Sequence, residues 1–314
     1  MVAIWSWRRR LPGLVNMPKV IPLGYYLVAF VDIVGRHHEP GRPHPLLETA
    51  EDRRQVGCIL RETSAYAREM RVQFDRLCAR TSGQTGLPTI SAADRCPPRG
   101  QGGVSHAWRM GFAGSCTLAV PFWKRRSHGA YGIDIYRCLA GMCGLFVWAL
   151  LRHRPLLGAV DVGLGTEMDH GEVYGTANTR VMELERLAGY PRILVGDGLL
   201  DCLEALAKTH PATREELHSR SLAERCRGVI TSDPVDRASI LDPLGEEMRS
   251  LGLYSSADIE RLHEYVASQA LRFSGPHGPG QTAPGCDEAE ASRLRVYYAR
   301  LLAYLEPRLH LWRR

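Results

Sequence analysis

Several features are missing from this chain of 314 residues, and each absence closes a class of function. Nine cysteines stand at positions 58, 78, 96, 116, 138, 143, 202, 226 and 286, and no two have the two-residue separation that a zinc ribbon needs. An odd number of scattered thiols in a chain this long reads as reduced, mostly structural cysteines of a cytosolic protein. No apolar run reaches the roughly 20 residues that cross a bilayer. The longest, Cys138 to Leu151, has 14 residues and is bracketed by Arg137 and Arg152, which predicts a buried helix. The start, MVAIWSWRRRLPGLVNM, lacks an apolar core after its arginines and a small-residue cleavage site, so no signal peptide is expected. There is no internal repeat, no disordered composition and no coiled-coil pattern.

What is present is ordinary globular composition, 45% hydrophobic and 24% charged, with a formal charge of +6 carried mainly by scattered arginines. That charge suits polyanions, nucleotides included, and equally suits plain solubility; no RNA- or DNA-binding signature accompanies it. Val20 to Gly35, VIPLGYYLVAFVDIVG, is a continuous β-branched and aromatic run, the pattern of a central strand covered on both faces. Helical spacing follows from Leu46 to Ala79, then a Gly/Pro/Ser/Thr-rich connection over 81–103. His106 to Phe112 and Cys116 to Pro121 read as a hairpin around Ala113-Gly114-Ser115. After the buried helix (129–154) come a strand at Gly158 to Gly163, a short extended piece at 171–175, a helix at Thr176 to Ala188, a strand at Pro191 to Val195 and a helix at Gly198 to Lys208.

An α+β chain with a hairpin in its middle fits an elaborated βαββαβ unit, the ferredoxin-like arrangement, better than repeated βαβ units. The remainder is less regular. Strand-like GVITS and loop-like DPVDRASILDPLG precede two charged helices, Ser256 to Phe273 and Cys286 to Leu309, with a Gly/Pro-rich linker between them. The expected organisation is a tail (1–17), a core domain (18–210) and a helical extension packed on it (211–314).

The strongest local chemistry is Phe30-Val31-Asp32-Ile33-Val34-Gly35. A carboxylate at the end of a buried strand is expensive unless a cation meets it, and the following glycine lets the chain turn so that its amides face phosphate oxygens. Asp32 is therefore a candidate metal ligand, or else a strand-end cap of the next loop. The histidines at 37, 38 and 170 read as ordinary loop residues, and Arg8-Arg9-Arg10 as a solvated tail.

A second stretch, GAVDVGLGTEMDHGEVYGTANTRVMELERLAGYPRILVGDGLLDCL, resembles the later half of the class III nucleotidyl cyclase domain. The matching pieces are Val173-Tyr174-Gly175, then Leu184-Glu185, then Pro191 to Val195, and the family's first strand ends in a Phe-x-Asp-x-x-Gly that Phe30, Asp32 and Gly35 reproduce. Within that family the chain is most similar to the bacterial pyrimidine (uridylate and cytidylate) cyclases of Pycsar anti-phage defence. The resemblance spans residues 20 to 205. It implies conversion of UTP, or less readily CTP, to a 3′,5′-cyclic monophosphate with release of pyrophosphate, the product acting on a separate effector. It implies two Mg²⁺ or Mn²⁺ ions, with Asp32 ligating both, the Ile33 carbonyl ligating one, and the Val34 and Gly35 amides touching phosphate. It also implies a homodimer with sites at the interface, in the cytoplasm, with no membrane and no stable nucleic-acid partner.

Two departures accompany it. Where relatives place a second metal-binding Asp in Gly-Phe-Ser-Asp-Ser, this chain reads Gly111-Phe112-Ala113-Gly114-Ser115. Gly114 has no carboxylate; Asp94 or Asp134 would have to substitute, or the chain is a catalytically impaired homologue that binds nucleotide or a partner. Second, the Asn and Arg that steady the transition state in many class III cyclases fall, counting back from Leu184-Glu185, on Thr179 and Glu183. Asn178 and Arg180 lie beside the first of these, and Arg180 is either a phosphate contact or a solvated helix-surface arginine. A diguanylate-cyclase reading lacks its Gly-Gly-Asp/Glu-Glu-Phe hairpin.

Overall fold

A computed structural model describes residues 23–34, 49–84, 107–110, 115–121, 129–168, 172–208, 210, 214–274 and 288–313, and shows an α+β fold. The first strand, β1 (Leu23–Ile33), leads into α1 (Ala50–Gln84), β2 (Ala107–Met110), β3 (Cys116–Pro121), α2 (Gly129–Leu151) and β4 (Leu156–Met168). Then follow β5 (Glu172–Gly175), α3 (Thr176–Arg186), β6 (Ile193–Val195), α4 (Asp197–Lys208), α5 (Arg214–Gly228), β7 (Ile230–Ser232) and β8 (Ser239–Leu241). Helices α6 (Glu246–Ser250), α7 (Ser256–Ser274), α8 (Glu288–Leu305) and α9 (Leu309–Trp312) complete the described chain.

The strands form one mixed sheet in the order β2-β3-β1-β4-β6-β8-β7, with β5 paired to β4. The pairs among β2, β3, β1 and β4 are antiparallel, and β4–β6 is parallel. β1 lies in the middle, buried from Tyr26 to Ala29 and again at Val31 and Ile33, which is what its unbroken apolar run requires. Helix α2 is buried on every side from Asp134 to Leu150, packed against α1, α5 and α7. Its apolar stretch is long enough by composition to cross a membrane, yet 94% of it lies inside the fold.

Helix α1 starts at Ala50 rather than Leu46 because Thr49 caps it. The Thr49 hydroxyl accepts the Asp52 N–H at 3.0 Å and the Asp52 carboxylate accepts the Thr49 N–H at 3.0 Å, a reciprocal capping box. Ser255 and Asp258 repeat the device before α7.

The segment after residue 210 is more ordered than its sequence suggests. Helix α5 has a narrow buried stripe, Ser219, Leu222, Ala223 and Cys226, at helical spacing within an otherwise charged sequence. Strand β8 falls inside what reads as a loop; its three residues are too few to show alternation, and pairing of Ile240 with Leu194 fixes it. The segment thus continues the sheet as well as packing on it. Arg192 secures the join, meeting buried Asp233 at 2.9 Å and the more exposed Asp236 at 2.6 Å, while Arg308 meets Asp242 at 2.6 Å within the added segment. A small gap beneath this join, lined by Cys143, Arg192, Ile240 and Tyr304 among others, has space for about one water and belongs to the packing.

Candidate functional site

Pairing registers place the candidates on β1 and β4. On β1 the even positions, Tyr26, Val28, Phe30 and Asp32, stand opposite Gly163, Asp161, Ala159 and Leu157 of β4, so these eight share one face of the sheet. Gly163 lies against α3: a Cβ there would be 3.0 Å from the Ala177 nitrogen, which is why the strand carries glycine at that point. Helix α3, with Asn178 and Arg180, therefore covers the same face that Asp32 occupies.

Asp32 is half-buried at the far end of β1. Its Oδ1 accepts the Ile33 N–H at 2.9 Å. The neighbouring Cys116 thiol is pushed up to about 12, by burial first and by the Asp32 charge second, which places the carboxylate within electrostatic reach of the β3 start. The Val34 N–H, which the resemblance aims at phosphate, donates instead to the Pro155 carbonyl at 2.9 Å. Gly35, the hairpin turn with Gly114, Asp94, the histidines at 37, 38 and 170, and the tail lie outside the described residues. Asp134, a possible substitute acid, is buried in α2, 3.9 Å from Arg137. Among the described residues no group of three His, Cys, Asp or Glu side chains could hold a metal.

The other candidates stand elsewhere. Asn178 is half-buried at the β5–α3 junction; its Nδ2 donates to the Val173 carbonyl at 3.4 Å, and its buried Oδ1 has no partner among the described residues. Ala177 and Val181 are the α3 residues that face the sheet, leaving Thr179, Arg180 and Glu183 exposed. Ala177 sits at Gly163, six residues along β4 from Leu157, the partner of Asp32. At roughly 3.3 Å per residue this separates the two ends by about 20 Å. One chain does not bring Asp32 and α3 together.

No family model, curated protein or solved structure matches the chain.

The geometry of the site contains one residue the sequence reading passed over. Asp161, in the centre of GAVDVGLG, is only 3% exposed. Its Oδ1 accepts the Val162 N–H at 2.8 Å and the Leu199 N–H, in the first turn of α4, at 2.9 Å. Burial raises its pKa, opposed by those two hydrogen bonds and by the Arg180 charge. Val-Gly-Asp-Gly, residues 195–198, is shaped around it: a Cβ at Gly196 would lie 2.2 Å from the Asp161 Cγ. A Cβ at Gly198 would lie 2.8 Å from Asp161 Oδ1 and 3.2 Å from Arg180 Nη1, so carboxylate and guanidinium are no more than about 6 Å apart. The available signal was a charged residue inside an apolar strand, the same one that singled out Asp32.

Far from Asp32, the opposite face of the sheet carries Leu23, Tyr25, Leu164 and Tyr174, each about half exposed or more. The registers Tyr25↔Leu164, Leu23↔Thr166 and Thr166↔Tyr174 make them one patch at the β1–β4–β5 end.

Proposed function

We propose that this protein is a nucleotidyl cyclase of the class III type that converts a pyrimidine nucleoside triphosphate, UTP before CTP, to its 3′,5′-cyclic monophosphate, working in the cytoplasm as part of anti-phage defence. The observation that carries the reading is the position of Asp32. It ends the central strand of a four-strand antiparallel unit in the order 2-3-1-4, the order of a ferredoxin-like βαββαβ core, on the face that α3 covers.

The reaction needs the 3′-hydroxyl to lose its proton and attack the α-phosphorus in line, with charge on the triphosphate neutralised. Asp32 would hold the Mg²⁺ or Mn²⁺ that arrives with the nucleotide, through the oxygen not engaged by the Ile33 amide, and the Ile33 carbonyl would be the second protein ligand. Magnesium bound through one or two carboxylates plus substrate phosphates is ordinary coordination, and one carboxylate is the lower end of it. Bound there, the cation supplies charge neutralisation and acidifies the hydroxyl. Arg180 and Asn178 would contact the phosphates, Arg180 with a forked cationic donor.

Asp32 stands about 20 Å from the Ala177 end of α3 and about 13 Å, four residues along β4, from the Asp161 beside which the Arg180 guanidinium lies, so catalysis that uses both residues requires a second copy to complete the site. A symmetric pair with self-complementary surfaces does this, and the patch of Leu23, Tyr25, Leu164 and Tyr174 supplies apolar surface for it. The test is incubation of the purified chain with each of the four ribonucleoside triphosphates and Mn²⁺, followed by chromatography. Cyclic UMP or cyclic CMP supports the reading, and absence of any cyclic product refutes it.

A second reading, a catalytically impaired homologue that binds nucleotide or a partner, is favoured by Gly114, which offers no carboxylate where the resemblance places a metal-binding Asp. Introducing Asp at this position (Gly114→Asp) separates the two, since restored turnover would identify the missing ligand.

A further inference from the structure

We propose that Asp161 is a positioning residue that fixes the Arg180 guanidinium over the start of α4, so that Arg180 faces the polyphosphate of a nucleotide held between two copies of the chain. This rests on the cyclase reading for its substrate and on the structure for its geometry.

A cap for α4 needs only one acceptor, and serine, threonine or asparagine would serve. The chain instead places a full carboxylate there, in a cavity that admits no side chain at 196 or 198. Both amide hydrogen bonds fall on Oδ1, and Oδ2 accepts none among the described residues. The nearby cation is Arg180, which is exposed and makes no hydrogen bond among the described residues. A long, solvated arginine has considerable rotamer freedom to lose before it can serve a transition state. A buried negative charge within about 6 Å restricts that freedom, while the Val162 amide of β4 and the Leu199 amide of α4 keep the carboxylate from swinging out to pair with it directly. The N-terminus of α4 is thus filled by the chain's own anion, which leaves the guanidinium as the cationic group presented to an incoming phosphate. Asp197, in the first turn of α4, is the other carboxylate close by, but it is exposed and solvent-screened.

The experiment uses the full chain with UTP, CTP and Mn²⁺. Asp161→Asn keeps shape and acceptor but removes the charge; Asp161→Ser, which also retains a capping oxygen, replaces it if the first variant does not fold. Expected is a fall of about tenfold in kcat with KM changed little, the pattern of an interaction made in the transition state. Arg180→Ala shows a similar fall, and the double variant is no slower than Arg180→Ala alone. Asp197→Asn stays near wild type. A kcat loss that repeats undiminished in the Arg180→Ala background, or is caused by Asp197→Asn instead, overturns the proposal.

If wild type forms no cyclic nucleotide, the cyclase reading fails, and calorimetric titration with Mn²⁺ and inorganic pyrophosphate decides the positioning claim. Equal weakening in Asp161→Asn and Arg180→Ala supports it; unchanged affinity in Asp161→Asn, or no binding to wild type, overturns it.

Discussion

Replacing Arg192 by methionine should destabilise the protein heavily at neutral pH and much less in mild acid. The guanidinium is 4% exposed, donates its Nε–H to the Ala188 carbonyl at 2.7 Å, and pairs with Asp233, which is fully buried, and with Asp236. Its charge also lies 4.6 Å from the Tyr190 ring centre, and the Tyr190 hydroxyl donates to Asp233. Methionine fills most of the volume but leaves the Asp233 charge without a cation. Breaking one partner from a buried pair costs about 3–5 kcal/mol, a large share of the roughly 5–15 kcal/mol that holds a domain together.

The pH dependence gives the sharper test. In the wild type, hydrogen bonding to Arg192 holds Asp236 at about 2. Burial pushes Asp233 up, but hydrogen bonds from Tyr190, the Val235 amide and Arg192 outweigh it and leave that carboxyl lowered. Depressed carboxylates contribute stability above their unfolded values near 3.8, and that stability is lost as pH falls toward 2. In Arg192→Met the sign reverses for Asp233: burial dominates, its folded value rises above the unfolded one, and stability is regained as pH falls toward 4. Urea midpoints, measured at one protein concentration, should therefore differ by about 1 M or more at pH 7 and by clearly less at pH 4. A midpoint gap that stays constant between these pH values, or a loss below about 1 kcal/mol, would refute the reasoning.

Mixing Asp32→Asn chains, inactive alone, with Arg180→Ala chains, slowed about tenfold alone, should raise turnover above that of either variant, because one site of the mixed dimer keeps both residues; no rise excludes a composite site. Leu164→Asp should shift the chain toward monomer in sedimentation and lower turnover with it, whereas an unchanged sedimentation profile removes the patch from the interface. Gly175→Ala places a Cβ 2.3 Å from the Leu164 carbonyl oxygen at a φ of 151°, so at least about 3 kcal/mol should be lost, seen as a Tm drop of about 5 °C or more. Burial drives the thiols of Cys78, Cys138, Cys143 and Cys226 far up, so iodoacetamide mapping of the folded chain should label exposed Cys58 and spare these four.

How much of this was legible beforehand follows from the length scale of each signal. Long periodic or uniformly apolar segments announce themselves: β1, α2 and the extended start of β4 were readable as buried elements because their burial is continuous along the chain. Asp32 was readable for the same reason, as a charge interrupting such a run. Helix α5 was not, since its buried stripe is four small or apolar residues, Ser219, Leu222, Ala223 and Cys226, within a charged sequence, and β8 was not, since three residues carry no period.

By itself, the order of residues determined which segments are buried, where they turn, and which acids interrupt them, because those are consequences of local periodicity and of the cost of burying charge. Only the folded arrangement decided that Asp32 stands at one end of the face that α3 covers, and that Asp161, four residues along β4 from the partner of Asp32, lies beside the Arg180 guanidinium. Strand register and helix placement bring together residues far apart in sequence, and that juxtaposition leaves no local trace in the order of amino acids.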